Sequence, residues 1–338
     1  MTTLWFMILT GLLIGYAVLD GFDLGVGALH LWLARTDEER RAALNAIGPV
    51  WDGNEVWLIA WGAAFFVAFP RAFAVGFSGF YLPLMIALWL LMGRGVAIEF
   101  RHHVTDPLWQ GAWDVIFSIS SLMLALLYGV AVGNIVTGVP INEQGYFQGL
   151  FEWMLNPYAL LMGLFSLVIL LSHGASYLCV KTDGALQVRA HDLATRLWPA
   201  LVALAVAVTV ATFGAQPRML QNFETAPPLL VVPVLAIVFL VLMRRLQRRR
   251  LSGGAFLCSC GLIGVLLAST AIGLYPFLLL SHPHPERSLT IANAAAAPGG
   301  LLAAALWMIP GTILLAIYQV FVYRTFKGKV VLGTGAHY

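Results

Sequence analysis

The segment that decides the fold is WFMILTGLLIGYAVLDGFDLGVGALHLWL, from Trp5 to Leu33. It exceeds the ~20 predominantly apolar residues that an α-helix needs to cross a bilayer. Its two acidic residues, Asp20 and Asp23, are three positions apart and therefore lie on the same face of a helix. The segment predicts a transmembrane helix that carries two carboxylates inside the membrane.

The rest of the chain has a similar composition. Of its 338 residues, 60% are hydrophobic and 10% are charged, and the mean hydropathy is +0.85. Soluble domains contain roughly 25% charged residues, so this composition excludes a soluble protein and gives no indication of nucleic-acid binding. We predict an all-α, polytopic integral membrane protein that forms a single membrane domain over residues 1–338. Nine apolar segments are the predicted membrane helices: 5–33, 51–69, 72–99, 112–137, 157–180, 197–214, 228–246, 255–280 and 300–324.

The basic residues predict an orientation, because cytoplasmic loops of membrane proteins are enriched in lysine and arginine. With a periplasmic N-terminus and a cytoplasmic C-terminus, every predicted inside loop is basic. The outside loops then contain only Arg71, Arg218 and Arg287. The run RRLQRRR at 244–250 is most simply a determinant of topology, with a lipid-headgroup site as the alternative. The amphipathic segment 182–198 is expected to extend the fifth or the sixth helix.

Seven ionisable residues fall in or beside the first four predicted helices, all toward the predicted cytoplasmic side. Such residues are costly in a bilayer and often functional. A one-sided set of carboxylates could draw protons from the cytoplasm, whereas the structural alternative is a set of helix-end groups and ion pairs. The seven residues are Asp20, Asp23, Asp52, Glu55, Arg94, Glu99 and Asp114.

The functional and the structural interpretation are favoured at different positions. Asp20 and Asp23 lie more than one turn from the helix end, which favours function or interhelical pairing. For Glu55 and Asp114 the structural interpretation is favoured, while Asp52 remains open between the two. Arg94 is expected to pair with a carboxylate.

Glycines, cysteines and histidines also lie in or beside the predicted helices. Gly21, Gly25 and Gly27 predict close packing of the first helix against neighbouring helices or a partner subunit. The three cysteines are expected to fill the core, and no metal site is predicted. The histidines in or beside the predicted helices supply no matched pair for haem ligation, so a dihaem cytochrome is a minor alternative. They are His30, His102, His103 and His173.

Several motifs together resemble a known family. DGFDLGVG at 20–27 and GPVWDGNEVWL at 48–58 closely resemble the sequence of cytochrome bd oxidase subunit II. FSGFYLPL at 77–84, GNIVTGVP at 133–140 and LNPYALL at 155–161 follow in the family's order. The resemblance covers nearly the whole chain, and its C-terminal half matches mainly in hydropathy and length.

The resemblance implies a subunit of a quinol oxidase that reduces dioxygen to water in the bacterial inner membrane. Haems b and d are expected in the larger subunit I, with which this chain would form a heterodimer, and none in this chain. Some members also hold a structural quinone or attach a small accessory subunit. The shorter connection between the sixth and seventh helices leaves the subfamily open, including the cyanide-insensitive type.

The resemblance also implies a proton route from the cytoplasm along the subunit interface. Carried over by motif, it points to Trp51 and Asp52 near the entrance, with Asp20, Asp23 and Arg94 as supporting positions. The alternative function is a self-contained proton-coupled transporter. That class typically has ionisable groups near the midplane and internal repeats, and neither is evident in this sequence.

Overall fold

A computed structural model describes residues 1–149 and 151–330. The predicted domain, 1–338, therefore includes residues that lie outside the described part. Within that part, twelve α-helices are connected mostly by short turns. They are α1 Thr2–Leu33, α2 Asp37–Ile47, α3 Trp51–Ala68, α4 Pro70–Gly79, α5 Tyr81–Phe100, α6 Pro107–Thr137, α7 Pro157–Lys181, α8 Gly184–Ala215, α9 Gln221–Thr225, α10 Val231–Arg248, α11 Ser252–Leu274 and α12 Pro298–Thr325.

One small sheet lies between α11 and α12. Strands β1, Phe277–Leu279, and β2, Leu289–Thr290, pair antiparallel. The loop after α6 joins this end of the molecule, because the N–H of Val139 donates to the carbonyl of Leu280. The described connections thus form an ordered cap over one end of the helices.

Eight of the described helices are long and apolar enough to cross a membrane: α1, α5, α6, α7, α8, α11, α12 and the segment Pro227–Arg248 that contains α10. The chain is therefore a multi-pass α-helical membrane protein. The predicted span 51–69 corresponds to α3 but is not among the eight. Asp52, Asn54 and Glu55 in its first turns lower its hydropathy, although its length of 18 residues corresponds to roughly 27 Å of helix.

The predicted span 72–99 is wrong as a single helix, because the chain forms α4 and α5 with a break at Phe80. Pro83 has no N–H to donate to the carbonyl of Gly79, four residues earlier, and its ring crowds that carbonyl. Gly79 is the last residue of α4. The proline therefore explains why a continuous apolar stretch does not form a continuous helix.

Two of the predicted connections between membrane helices are themselves partly helical. The loop after α1 contains helix α2, whose start is a capping box: Thr36 accepts from the N–H of Glu39, and the Glu39 carboxylate accepts from the N–H of Thr36. The amphipathic segment 182–198 belongs to α8 from Gly184 onward, and α8 runs without a break into the sixth predicted span.

Helix α1 lies at the centre of the bundle, in contact with α3, α6, α7 and α11. Trp5, Leu12, Phe22 and Val26 along its length are buried. By contrast, α8, α10 and α12 expose rows of large apolar side chains, as expected for surfaces that face lipid or a partner. The central position of α1 brings its two aspartates into the interior.

Candidate functional site

The two acids of α1 and the arginine of α5 meet inside the bundle. Arg94 Nη1 donates a 2.7 Å hydrogen bond to Asp20 Oδ1, and both side chains are fully buried. Arg94 Nη2 lies 3.5 Å from Glu55 Oε2 on α3. One guanidinium therefore faces two carboxylates, and its charge stabilises them in an environment that disfavours isolated ions. Helices α1, α3 and α5 are joined at this point.

A chain of polar side chains leads from Asp23 toward α12. Asn54 Nδ2 donates to Asp23 Oδ2 at 2.7 Å, and its Oδ1 accepts hydrogen bonds from Gln319 at 2.5 Å and Tyr323 at 3.0 Å. Asn54 is fully buried and Gln319 is 6% exposed. Asn54 therefore links the acid on α1 to two hydrogen-bonding groups on α12.

Several atoms of this network have no hydrogen-bond partner among the described residues. They are Asp20 Oδ2, Asp23 Oδ1, Arg94 Nε and Nη2, and Gln319 Oε1. Buried polar atoms are nearly always hydrogen-bonded to protein or water. These atoms thus leave unused hydrogen-bonding capacity in the interior of the bundle. Beside them, Tyr16 donates to the hydroxyl of Tyr128 at 2.8 Å.

Trp51 and Asp52 lie at the start of α3 and differ in environment. Trp51 is partly buried, and its ring lies close to Gly95 on α5. Asp52 is exposed. The acid of α3 that contacts Arg94 is Glu55, one turn further along the helix. The sequence-based preference for Glu55 as a helix-end group is therefore incomplete, because it takes part in the buried charge cluster.

A second charge cluster surrounds Asp114 on α6, outside the network around Arg94. Asp114 is 1% exposed and accepts hydrogen bonds from three residues: His30 at 2.6 Å, Arg40 at 3.0 Å and Arg101 at 2.6 Å and 3.2 Å. Burial alone would lower the pKa of Arg101, but the carboxylates of Asp114 and Asp37 raise it. Asp114 is more than the helix-end group suggested by its sequence position, since it connects α1, α2, α6 and the end of α5.

The buried histidines already have hydrogen-bond partners. His30 contacts Asp114, whereas His173 contacts the hydroxyl of Ser259 at 2.6 Å and the carbonyl of Val18 at 2.9 Å. Each ring is therefore held in a separate polar pocket, an arrangement that does not fit a pair of axial haem ligands. Across the described ranges, no three His, Cys, Asp or Glu residues are grouped as a metal site.

The glycines of α1 contact other helices of the same chain. A Cβ atom on Gly25 would lie 2.1 Å from the carbonyl oxygen of Leu170 and 2.8 Å from Gly174, both on α7. Gly21 also faces Leu170, and Gly27 faces Ser121 on α6. Close packing within this chain therefore accounts for the small residues.

The sequence-based predictions did not include Asn54, Gln319 or Tyr323. They also did not include the hydrogen-bonded pair of Tyr16 and Tyr128. Asn54 stood inside the WDGNEVW motif, and Gln319 is an isolated amide in an otherwise apolar predicted helix. A polar side chain in such a position is a functional candidate in its own right, which is the signal that could have found both. Their contact could not be read from the sequence, since 265 positions separate them.

Long apolar helices packed around buried ionisable side chains define a multi-pass α-helical membrane protein. The chain belongs to the cytochrome bd terminal oxidase subunit II family, whose sequence profile matches residues 1–326. This assignment agrees with the resemblance carried by the DGFDLG and WDGNEVW motifs.

Individual relatives support the same assignment. The chain is 33% identical to the cytochrome bd-I ubiquinol oxidase subunit 2 of Escherichia coli, over 86% of this chain and 85% of that protein. It is also 33% identical to the cytochrome bd ubiquinol oxidase subunit 2 of Bacillus subtilis, over 95% of both chains. The bd oxidase structure from Geobacillus thermodenitrificans has the same fold, with a TM-score of 0.79 and 21% identity over 96% of this chain and 98% of that one.

Proposed function

We propose that this chain is the haem-free second subunit of a cytochrome bd-type quinol oxidase in the bacterial inner membrane. It would pack against a haem-bearing subunit I that carries haems b and d, where quinol is oxidised and dioxygen reduced. The separate hydrogen bonding of the two buried histidines supports the haem-free assignment. The N-terminus would face the periplasm.

The chain's own contribution, in this proposal, is to conduct protons from the cytoplasm toward the partner. The observation that carries it is the pair of buried polar groups at the junction of α1, α3, α5 and α12: Arg94 with Asp20 and Glu55, and Asn54 with Asp23, Gln319 and Tyr323. Exposed Asp52 would receive protons at the start of α3, with Trp51 beside it. Asp20 and Arg94 would hold charge further inside, and Asp23, one helical turn beyond Asp20, would hold charge beside its hydrogen-bond partner Asn54.

Protons taken up from one side would make oxygen reduction electrogenic without a pump. Arg94 would offset the cost of burying the carboxylate of Asp20, because its guanidinium donates a hydrogen bond to that carboxylate. Asn54 donates a hydrogen bond to Asp23 on α1 and accepts hydrogen bonds from Gln319 and Tyr323 on α12. It therefore links α1 to α12.

The first experiment tests the assembly. The full chain is purified through an affinity tag from its native membrane in mild detergent, followed by a reduced-minus-oxidised spectrum and mass analysis of the co-purifying chains. A larger partner that carries all the haem is the expected result. A chain that purifies alone and without haem would favour the transporter, and haem on the isolated chain would contradict the haem-free assignment.

The second experiment tests the proton route in the assembled complex. Asp52→Asn is expected to slow oxygen reduction and charge uptake in proteoliposomes while leaving the haem spectra unchanged. Glu38→Gln is the matched control, because Glu38 is an exposed acid on α2 outside the network. Equal turnover in the two variants and the wild type would remove Asp52 from the route.

A further inference from the structure

The turn between α10 and α11 contains a small pocket, and one buried polar side chain in its wall lacks a hydrogen-bond partner among the described residues. Gln247, near the end of α10, is 3% exposed, and neither its amide nitrogen nor its amide oxygen has a hydrogen-bond partner among the described residues. Both atoms belong to a side chain that lines a cavity of about 10 Å³ together with His191, Arg250 and Ser252. A buried, unpaired amide costs free energy unless a partner satisfies it.

The first turn of helix α11 forms part of the wall of the same pocket. Helix α11 begins at Ser252, and no side chain caps it. Its first hydrogen bond is the one from the N–H of Ala255 to the carbonyl of Leu251, so the N–H groups of 252–254 precede the helical ladder. Free N–H groups and the helix dipole make such an end favourable for an anion.

The charged residues around the pocket are mainly basic, with Asp192 near Cys179 of the pocket wall as an acidic exception. Arg250 lines it, and Arg244, Arg245, Arg248 and Arg249 occupy the same end of α10 and its turn. None of the described residues that line the pocket is acidic. Because α10 and α11 are both membrane-helix candidates and only the turn separates them, the site lies where a membrane helix meets the headgroup region.

We propose that this turn binds a phosphate group, held by the Gln247 amide, the Arg250 guanidinium and the N-terminal N–H groups of α11. The cavity has room for one water-sized atom, so a single phosphate oxygen enters beside Gln247. The rest of the group lies at the mouth, within reach of exposed Arg250. An anionic phospholipid headgroup and free phosphate share this chemistry.

The backbone at Arg250 agrees with a positioned guanidinium. Its φ of 55° lies in the left-handed region that disfavours residues other than glycine, and it is the one non-glycine residue of the described chain with a positive φ. Glycine would relieve that strain but would supply no charge. The proposed phosphate contact would give an arginine at this position a role that glycine could not fill.

The test measures the melting temperature of the full chain, with any subunit that co-purifies, in neutral detergent. Phosphatidylglycerol and inorganic phosphate are titrated in turn, with diacylglycerol as the phosphate-free lipid. The variants are Arg250→Gln and Gln247→Met, which removes both unpaired amide atoms at similar volume. Arg249→Gln is the matched control, since it removes the same charge outside the pocket.

Phosphatidylglycerol is expected to raise the melting temperature of the wild type and of Arg249→Gln. Arg250→Gln and Gln247→Met should need about tenfold more lipid for the same shift, as a lost hydrogen bond to a charged group predicts. An equal, Arg250-dependent response to inorganic phosphate would identify free phosphate as the ligand, and a response to the lipid alone would identify the headgroup.

Three outcomes would overturn the proposal. One is the absence of any shift in the wild type with either phosphate compound. Another is an equal response to phosphatidylglycerol and diacylglycerol. The third is a Gln247→Met variant that is more stable than the wild type but responds to lipid in the same way, which would mean that the pocket takes only a water molecule.

Discussion

Arg94 on α5 donates a 2.7 Å hydrogen bond to Asp20 on α1, and the two side chains are fully buried 74 positions apart in sequence. Glu55 on α3 lies on the other side of the same guanidinium. This arrangement makes Arg94, on α5, the shared counter-ion of carboxylates on two other helices. Its removal should be more damaging than the removal of either carboxylate.

The first prediction is a double-mutant cycle on this pair. Arg94→Met leaves two carboxylates without a counter-ion and should cost about 3–5 kcal/mol of unfolding free energy. Asp20→Asn should cost less, because Glu55 still faces the arginine. The double variant should be more stable than the sum of the single losses implies, in detergent-solubilised complex unfolded by heat or denaturant. Strictly additive losses would mean that the pair is not energetically coupled.

The second prediction concerns Asp114 and the turn that follows α5. Asp114→Asn removes the counter-charge of Arg101, which is 3% exposed, and should lower the unfolding free energy by about 3–5 kcal/mol. Asp37→Asn is the control, because that carboxylate also contacts Arg101 but its side chain is 51% exposed. Its loss should cost about 0–1 kcal/mol. Similar melting temperatures for the two variants would argue against the central role of Asp114.

The third prediction tests the contact between α1 and α7. Gly25→Ala should prevent the helices from approaching and sharply reduce the yield of folded chain, because the new methyl group would overlap backbone atoms of α7. Gly11→Ala on the same helix has no atom within 4 Å and should be neutral or stabilising by up to about 1 kcal/mol. Size-exclusion profiles and melting temperatures would separate the two. Normal assembly of Gly25→Ala would disprove the close approach.

The fourth prediction is a pH dependence at helix α2. Burial raises the pKa of Glu39, but the hydrogen bonds from Arg189 and from the N–H groups of Arg35 and Thr36 outweigh it and lower the pKa. A carboxyl whose pKa is lower in the folded state adds stability above its unfolded pKa of about 4.3. That stability is lost as the pH falls through the lower, folded value.

The measurement is the melting temperature of the complex across the acidic range. The wild type should lose stability on acidification, and Glu39→Gln should lose less because its side chain does not titrate. The effect should be modest, since the Glu39 and Arg189 side chains are 19% and 21% exposed and partly screened. Glu38→Gln, which changes an exposed acid of the same helix, should keep the acid sensitivity of the wild type.

The sequence by itself determined the class of protein and most of its helices. An apolar run longer than a bilayer is thick must form internal hydrogen bonds, so α1, α6, α7 and α11 could be placed from composition alone. The motifs around Asp20 and Trp51 also indicated the family. These properties are local, because they depend on consecutive residues and their spacing.

Only the tertiary structure decided which polar groups meet. Asp20 finds Arg94, Asn54 finds Gln319, and Asp114 gathers three basic residues from different parts of the chain. The break between α4 and α5 likewise divides an apolar segment that hydropathy alone predicts to be one helix. The burial of a polar side chain, its distances and its partners depend on how the helices pack. Packing in a bilayer is determined by side-chain shape and polar pairing, and a hydropathy value contains neither.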